Sequence, residues 1–286
     1  MEDAGCDRLR LFIAGYPLEY TLSPAIYNTW ARMRGLRVEY GVERPSEPAG
    51  LAAVAEMCRR DPCCRGFNVT MPYKTVILSM LQDLDEHSKT IEAVNTVLND
   101  RGSLTGYNTD WIGVRRPLEE AGYPGGSVLI IGAGGAARAA AYALRDLADT
   151  IYYTSRTGES ARKLAEWTSR VLGVYSEGYK AGGQVYKALT RRVNLVINAS
   201  PASGIDKTPL PLDALNTLPK PCTVFDMVYK PVDTLLLQEA RRTGCKTIDG
   251  LDMLSVQAAY NIRVWFNMEE NPRLLKKIAL DSMNQA

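Results

Sequence analysis

Val128-Leu129-Ile130-Ile131-Gly132-Ala133-Gly134-Gly135-Ala136-Ala137 is the stretch that decides the fold. Four apolar residues at strand length run straight into a glycine-rich turn, and an alanine-rich helical pattern opens immediately after it. That context turns a GxGxxG/A match into a dinucleotide-binding signature. Gly132 permits the tight turn, Gly134 lets the backbone approach a pyrophosphate, and Ala137 lets helix and strand pack closely. The N-terminus of the helix then offers oriented N–H groups to the anion. Gly132, Ala133, Gly134, Gly135 and Ala136 are therefore cofactor-site candidates.

Downstream, apolar runs recur at residues 151–154, 195–198, 224–228 and 247–248 with helical patterns between them, the alternation of a parallel sheet. In NAD-binding versions a carboxylate ends the second strand and accepts from the ribose 2′-hydroxyl. Here that place reads Thr154-Ser155-Arg156-Thr157. A guanidinium there pairs with a 2′-phosphate and stacks on adenine, so Ser155, Arg156 and Thr157 point to NADP.

Upstream, the turn-rich stretch 121–126 marks a change of register. Before it, strands are expected at 9–14, 36–42 and 65–70 and helices at 24–34 and 51–60, with a further helix opened by Pro72. Residues 93–98 and 103–107 flank Asn99-Asp100-Arg101-Gly102 and read as a hairpin. The expected fold class is α/β in two domains. A mixed α/β substrate and catalytic domain spans 1–113, and a Rossmann-type, doubly wound NADP domain spans 114–250. Helices in 251–286, led by an amphipathic one at 252–267, return to the first domain.

The bulk numbers agree with an ordinary enzyme. The chain has 286 residues, 46% hydrophobic and 23% charged, with 34 basic against 32 acidic side chains. Neither disorder nor a polyanionic partner follows from that balance, so no nucleic acid partner is expected. No apolar run reaches the roughly 20 residues of a membrane span, and residues 1–10 are too charged for a signal peptide. A cytoplasmic protein with a small-molecule substrate and no membrane partner is expected; monomer and homodimer both stay open. Cys6, Cys58, Cys63, Cys64, Cys222 and Cys245 show no metal-ligand spacing and read as reduced, buried thiols. One histidine, His87, lies in a polar stretch, so acid–base chemistry must come from other side chains, and no metal site is expected.

Four segments outside the cofactor motif concentrate hydroxyl, amide, lysine and carboxylate groups: Tyr20-Thr21-Leu22-Ser23-Pro24, Asn68 to Lys74, Ala93-Val94-Asn95-Thr96, and Asn108-Thr109-Asp110. Each has a purely structural reading. Ser23 is a good N-cap before a proline, Asp110 can cap the helix starting at Trp111, and Lys74 can be a solvated first-turn lysine. Together they form the set that a small polyhydroxylated acid requires: donors at a helix N-terminus for its carboxylate, amides for its alcohols, and one acid–base pair.

In this ordered set the chain resembles the shikimate dehydrogenase family over nearly its whole length. The matching blocks are Thr21-Leu22-Ser23-Pro24, Asn68 to Lys74, Ala93 to Thr96, Asn108 to Asp110 and Gly132 to Ala136. Farther on, Asn198-Ala199-Ser200, Asp226-Met227-Val228-Tyr229 and Asp249-Gly250-Leu251 through Gln257 match as well. The resemblance implies an oxidoreductase of aromatic amino acid biosynthesis that reversibly reduces 3-dehydroshikimate to shikimate with NADPH. By resemblance Lys74 and Asp110 are the catalytic pair, while Thr21, Ser23, Asn68, Thr70, Asn95, Tyr229 and Gln257 belong to the substrate site. Met227, Gly250 and Met253 lie on the nicotinamide side.

Three residues depart from the family pattern. Thr21 stands where serine is usual, Ser160 where a second arginine usually clamps the 2′-phosphate, and Asp252 where glycine is usual. The first two keep an NAD-using quinate/shikimate dehydrogenase as the alternative. A non-catalytic regulatory homologue is disfavoured by the presence of both Lys74 and Asp110. A dehydrogenase of folate one-carbon units is disfavoured by the hydroxyl loop and the Asn-Thr-Asp turn. Ketone reduction needs a hydride on carbon and a proton on oxygen, so Lys74 is the expected proton donor, with domain closure expected to exclude water.

Overall fold

The computed structural model describes residues 5–285. It divides into two units: the chain up to Thr109 together with everything from Ser255 onward, and Asp110–Leu254.

The first unit is built on a mixed sheet. β1 (Leu9–Ala14), β2 (Val38–Glu43) and β3 (Cys64–Val69) are parallel, linked by helices α1 (Ser23–Met33) and α2 (Pro48–Arg60). A short strand β4 (Asp83–Leu84) and helix α3 (Glu86–Ile91) follow. The antiparallel pair β5 (Thr96–Asp100) and β6 (Ser103–Tyr107) then completes the order β2-β1-β3-β5-β6-β4. The hairpin forms as its sequence requires. Arg101 and Gly102 take positive φ, and the Asn99 side chain accepts from the Gly102 amide at 2.8 Å, closing the turn.

The second unit is the doubly wound sheet. Its strands are β7 (Gly126–Ile131), β8 (Ala148–Ser155), β9 (Tyr175–Lys180), β10 (Leu195–Asn198), β11 (Thr223–Asp226) and β12 (Lys246–Ile248). They pair in parallel in the order β12-β11-β10-β7-β8-β9. Counted from β7 that is 3-2-1-4-5-6, the dinucleotide-binding order, with the chain reversing direction between β7 and β10. Helices α4 (Asp110–Glu120), α5 (Gly135–Ala143), α6 (Glu159–Trp167), α7 (Gly183–Thr190), α8 (Leu212–Leu215) and α9 (Leu235–Arg242) supply its other layers. β7 buries Val128, Leu129, Ile130 and Ile131 on both faces, which explains why it reads as a continuous apolar run rather than an alternating one.

Helix α10 (Gly250–Phe266) ends among the first unit's residues, and α11 (Pro272–Asn284) follows it. Trp265 is fully buried, and its indole donates to the Val97 carbonyl at 2.9 Å. Gly66 makes room for that ring, since a Cβ there would lie 2.7 Å from the indole nitrogen. The turn before α11 is held by Glu270, which accepts from the Trp30 indole at 2.8 Å and from Arg34 at 2.6 Å. Burial would raise the Glu270 carboxyl, but the Asn271 amide, Arg34 and Trp30 outweigh it and hold it below the ordinary carboxylate range. Asn271 caps α11 by accepting from the Arg273 amide, an interaction worth about 1 kcal/mol.

Three expectations are corrected. Pro72 opens no α-helix: residues 71–75 form turns, and only the 3-10 turn Val76–Met80 follows. The Thr70 carbonyl accepts from the Tyr73 amide, and the Tyr73 hydroxyl is tied to the Pro45 carbonyl at 2.6 Å, so the segment folds around a buried tyrosine instead. The cysteines are not thiols. They pair as Cys6–Cys63, Cys58–Cys64 and Cys222–Cys245, with Cα separations of 5.7, 5.3 and 4.9 Å that suit a bridge. Sequence separations of 57, 6 and 23 carry no hint of that pairing, which the sheet creates. Finally, the edge strand β9 goes beyond the elements expected from the sequence, which place no strand between 154 and 195.

Candidate active site

Of the substrate-side candidates, Thr21, Ser23, Asn68, Thr70 and Asn95 gather at the C-terminal ends of β1 and β3 and beside β5, whereas Gln257 lies on α10 and Tyr229 follows β11 in the second unit. After β1 the chain turns at Gly15, where a Cβ would lie 2.2 Å from the Thr70 methyl. Glycine therefore lets the loop carrying Thr21 and Ser23 leave the sheet beside Thr70. The Thr70 amide donates to the Ala14 carbonyl at 2.9 Å, continuing the β1–β3 ladder to the site's edge. Ser23 is the first residue of α1, yet no side chain caps that helix; instead Thr21 accepts from the Ser23 amide at 3.2 Å. The N-cap role open to Ser23 is thus not the one it plays. Its hydroxyl hydrogen-bonds Tyr40, whose own pKa is pushed well up, first by burial and then by the neighbouring Tyr27, with the Ser23 bond opposing.

Tyr40 in turn donates to Asn68 Oδ1 at 2.7 Å, and Asn68 Nδ2 donates to the Asn95 carbonyl and to Thr96 Oγ1, both at 3.0 Å. Both amide hydrogens of Asn68 are committed inside the protein, so toward any ligand Asn68 serves chiefly as an organiser. Asn95 holds the next stretch. Its Oδ1 accepts from the Thr109 amide at 2.8 Å and its Nδ2 donates to Thr109 Oγ1 at 3.0 Å. Asn108 closes the same turn by donating to the Ala93 carbonyl at 2.9 Å. Lys74, half-buried, lies in no helix; its carbonyl accepts from the Val94 amide at 2.7 Å, pinning it beside Asn95. Asp110, buried, follows Thr109 directly as the first residue of α4. Two neighbouring residues thus hold the two backbones: Val94 bonds the Lys74 carbonyl, and Asn95 bonds Thr109, the residue preceding Asp110.

In the second unit Gly132 has φ +115°, and a Cβ on it would lie 2.8 Å from the Ala199 carbonyl; the tight turn of β7 against the end of β10 requires glycine. Gly134 is different. A Cβ there would meet no protein atom within 4 Å, so the packing of the chain does not demand glycine at this place. The open space leaves room for a ligand to lie against the backbone, and the start of α5 behind it has no side-chain cap. The donor set fits a pyrophosphate. Ser155 Oγ accepts from the amides of Gly158 and Ala161 at 3.1 and 3.2 Å, shaping the turn that presents Arg156 and Thr157 to solvent.

The roles of two motif residues emerge only from the fold. Asp226, fully buried, accepts from Asn198 Nδ2 (2.8 Å), Ser203 Oγ (2.6 Å), Thr234 Oγ1 (2.7 Å) and the Val228 amide (3.1 Å). It fixes the segment Met227-Val228-Tyr229. Gly250 lies against that segment, where a Cβ would be 2.6 Å from the carbonyl oxygens of both Met227 and Val228. Met253 packs into the unit's core with Ala137 and Ile248. Asp249 accepts from the amides of Leu251 and Asp252, capping α10, and Asp252 adds a favourable negative charge to its first turn. Lys180, not singled out by sequence, ends β9 in register with Ser155; a Cβ on Gly158 would lie 2.9 Å from its amide nitrogen. It brings a second exposed cation to the turn of Arg156, whereas Lys163 is ion-paired with Glu159 at 2.7 Å. Only strand pairing shows this, since Arg156 and Lys180 are far apart in sequence.

Known proteins resemble this chain in sequence and in fold. The profile of the shikimate dehydrogenase substrate binding domain matches residues 13–97. The NADP+ shikimate dehydrogenase of Aeropyrum pernix is 40% identical over 277 residues, covering 96% of this chain and 98% of that protein. Among solved structures, shikimate 5-dehydrogenase from Thermus thermophilus in complex with NADP(H) and shikimate superposes with a TM-score of 0.83. It is 32% identical and covers 96% of this chain and 99% of its own. Quinate dehydrogenase from Corynebacterium glutamicum in complex with NAD superposes with a TM-score of 0.85 at 28% identity, covering 96% and 99%.

Proposed function

Because the chain belongs to the shikimate dehydrogenase family, we propose that it catalyses the reversible, NADPH-dependent reduction of 3-dehydroshikimate to shikimate. The observation that carries this reading is the buried polar network of Ser23, Tyr40, Asn68, Asn95, Thr96 and Thr109. It gathers amides and hydroxyls beside the loop of Thr21 and Ser23, the groups that a small polyhydroxylated acid needs around it. Bound at the Gly132–Ala136 turn, NADPH supplies the hydride. Every other step falls to the chain. Thr21 and Ser23 hold the ring carboxylate beside the start of α1, and Asn95, Thr70, Gln257 and Tyr229 orient the ring. Lys74 donates the proton to the carbonyl oxygen, Asp110 is its carboxylate partner in the transfer, and oxidation runs the transfer backward. Following nicotinamide absorbance with shikimate and quinate, each with NADP and NAD, tests the assignment: shikimate with NADP should be turned over fastest. Quinate with NAD as the preferred pair would establish the alternative.

Among the described residues no helix is long and apolar enough to cross a membrane. We propose a cytoplasmic enzyme, monomer or homodimer, in the class of intracellular proteins that retain disulfides, as those of hyperthermophiles do.

Ser23→Ala should weaken shikimate by about 0.5–3 kcal/mol, the range for losing a donor to a charged or neutral partner. Because no side chain caps α1, the melting temperature should barely move. A lower melting temperature with unchanged shikimate KM would mean that Ser23 serves the fold through Tyr40 and not the substrate.

A further inference from the structure

Gln257, Asn261 and Trp265 recur every four residues along α10 and so share one face of that helix. Trp265 reaches the Val97 carbonyl of β5, and Asn261 reaches the residue before it in the strand. Asn261 is buried. Its single carbonyl oxygen accepts from Thr96 Oγ1 at 2.7 Å and from Thr109 Oγ1 at 3.0 Å, while its Nδ2 donates to the Tyr27 hydroxyl at 2.8 Å. The amide nitrogen thus faces Tyr27 and the oxygen faces the two threonines.

Each threonine hydroxyl has one hydrogen to give, and beyond the other hydroxyl at 3.5 Å it has two closer acceptors. Thr96 Oγ1 lies 3.0 Å from Asn95 Oδ1 and Thr109 Oγ1 lies 3.2 Å from the same atom, both longer than their distances to Asn261. As acceptors the same hydroxyls take Asn68 Nδ2 and Asn95 Nδ2, each at 3.0 Å. A consistent direction therefore runs through the network: Asn68 to Thr96 to Asn261, and Asn95 to Thr109 to Asn261. Without the Asn261 oxygen the nearest acceptor left to both hydroxyls is Asn95 Oδ1, which already accepts the Thr109 amide at 2.8 Å, the contact between the two hydroxyls being longer at 3.5 Å. Three donors would then crowd one carbonyl oxygen.

We propose that Asn261 is a positioning residue for the reaction: it draws the Thr96 and Thr109 hydroxyl hydrogens away from Asn95 and so sets the orientation of the amide that meets the substrate. The proposal rests on the reading above, in which Asn95 and Gln257 contact shikimate. Asn261 itself touches neither substrate nor cofactor. It joins the first residue of β5, which follows Asn95, the turn bearing Thr109 and the helix bearing Gln257 at one oxygen atom.

The test compares Asn261→Ala and Asn261→Asp with the wild type, measuring kcat and KM for shikimate, KM for NADP and melting temperature. Aspartate keeps an acceptor for both threonines, and the Tyr27 hydroxyl can rotate to donate to it. Asn261→Ala should raise the shikimate KM about three- to tenfold, the loss of one to two ordinary hydrogen bonds, and leave the NADP KM unchanged. Asn261→Asp should return the shikimate KM to within about twofold of wild type by the same reasoning. If the aspartate variant does not fold, as read by lost NADP binding, the split between the two KM values in Asn261→Ala decides alone. An unchanged shikimate KM in Asn261→Ala, an equal rise in both KM values, or a folded Asn261→Asp as impaired as alanine would each overturn the proposal. A wild type that does not oxidise shikimate would instead overturn the functional reading beneath it, and is seen before any variant is compared.

Discussion

Lys74→Ala should lower turnover by about 10²- to 10⁴-fold in both directions while the shikimate KM changes little, the range for removing a general acid–base group. The expectation follows from where Lys74 is held. Val94 pins its carbonyl at 2.7 Å, one residue from Asn95, and Asn95 also fixes Thr109, the residue before Asp110. The backbone that carries the proposed proton donor and the residue before its carboxylate are thus both held by the consecutive residues Val94 and Asn95. The first-turn role that would have made Lys74 a solvated helix residue is absent, because no α-helix starts at Pro72. Pre-steady-state and steady-state nicotinamide absorbance measure the effect. Wild-type turnover with only a raised KM would make Lys74 a binding residue and move the proton donor elsewhere.

The sequence revealed the second unit more fully than the first. An apolar run at strand length followed by GxGxxA is a local signal, because turn, anion site and close helix packing all depend on neighbouring residues; β7, β10 and β11 lie close to where their apolar runs place them. β9 was illegible for the opposite reason. Tyr175-Ser176-Glu177-Gly178-Tyr179-Lys180 is an edge strand with no fully buried residue, and its glycine is there because a Cβ would lie 2.3 Å from the backbone of α6. In the first unit the site's residue types were visible as four polar clusters, but their partners were not. Tyr40 reads as one apolar position of a half-buried strand, and nothing local says that its hydroxyl links Ser23 to Asn68. Asn261 reads as a polar residue in an amphipathic helix, and Asp226 as one letter of a motif. Their roles come from long-range pairing, like the disulfides, and periodicity carries no information about which side chains the sheet brings together.

Arg156→Ala should raise the KM for NADP by about ten- to a hundredfold and leave the KM for NAD nearly unchanged, as one charge-assisted hydrogen bond of roughly 1.5–3 kcal/mol requires. Arg156 is exposed at the end of β8, on the turn that Ser155 shapes by accepting from Gly158 and Ala161, and no carboxylate stands where an NAD-binding sheet would place one. Ser160 supplies no second guanidinium, and the Lys163 charge is shared with Glu159. Lys180 is the cation that the fold adds, since β9 ends beside Ser155. Lys180→Ala should therefore raise the NADP KM about two- to fivefold, an exposed ammonium contributing less than a guanidinium fork. Added salt should weaken NADP binding more than NAD binding, because the difference between the cofactors is a solvent-exposed phosphate charge. Equal losses with both cofactors in Arg156→Ala would mean that the guanidinium only stacks on adenine. A wild-type preference for NAD would show that Arg156 and Lys180 together do not replace the missing clamp, and would return the quinate-oxidising alternative to first place.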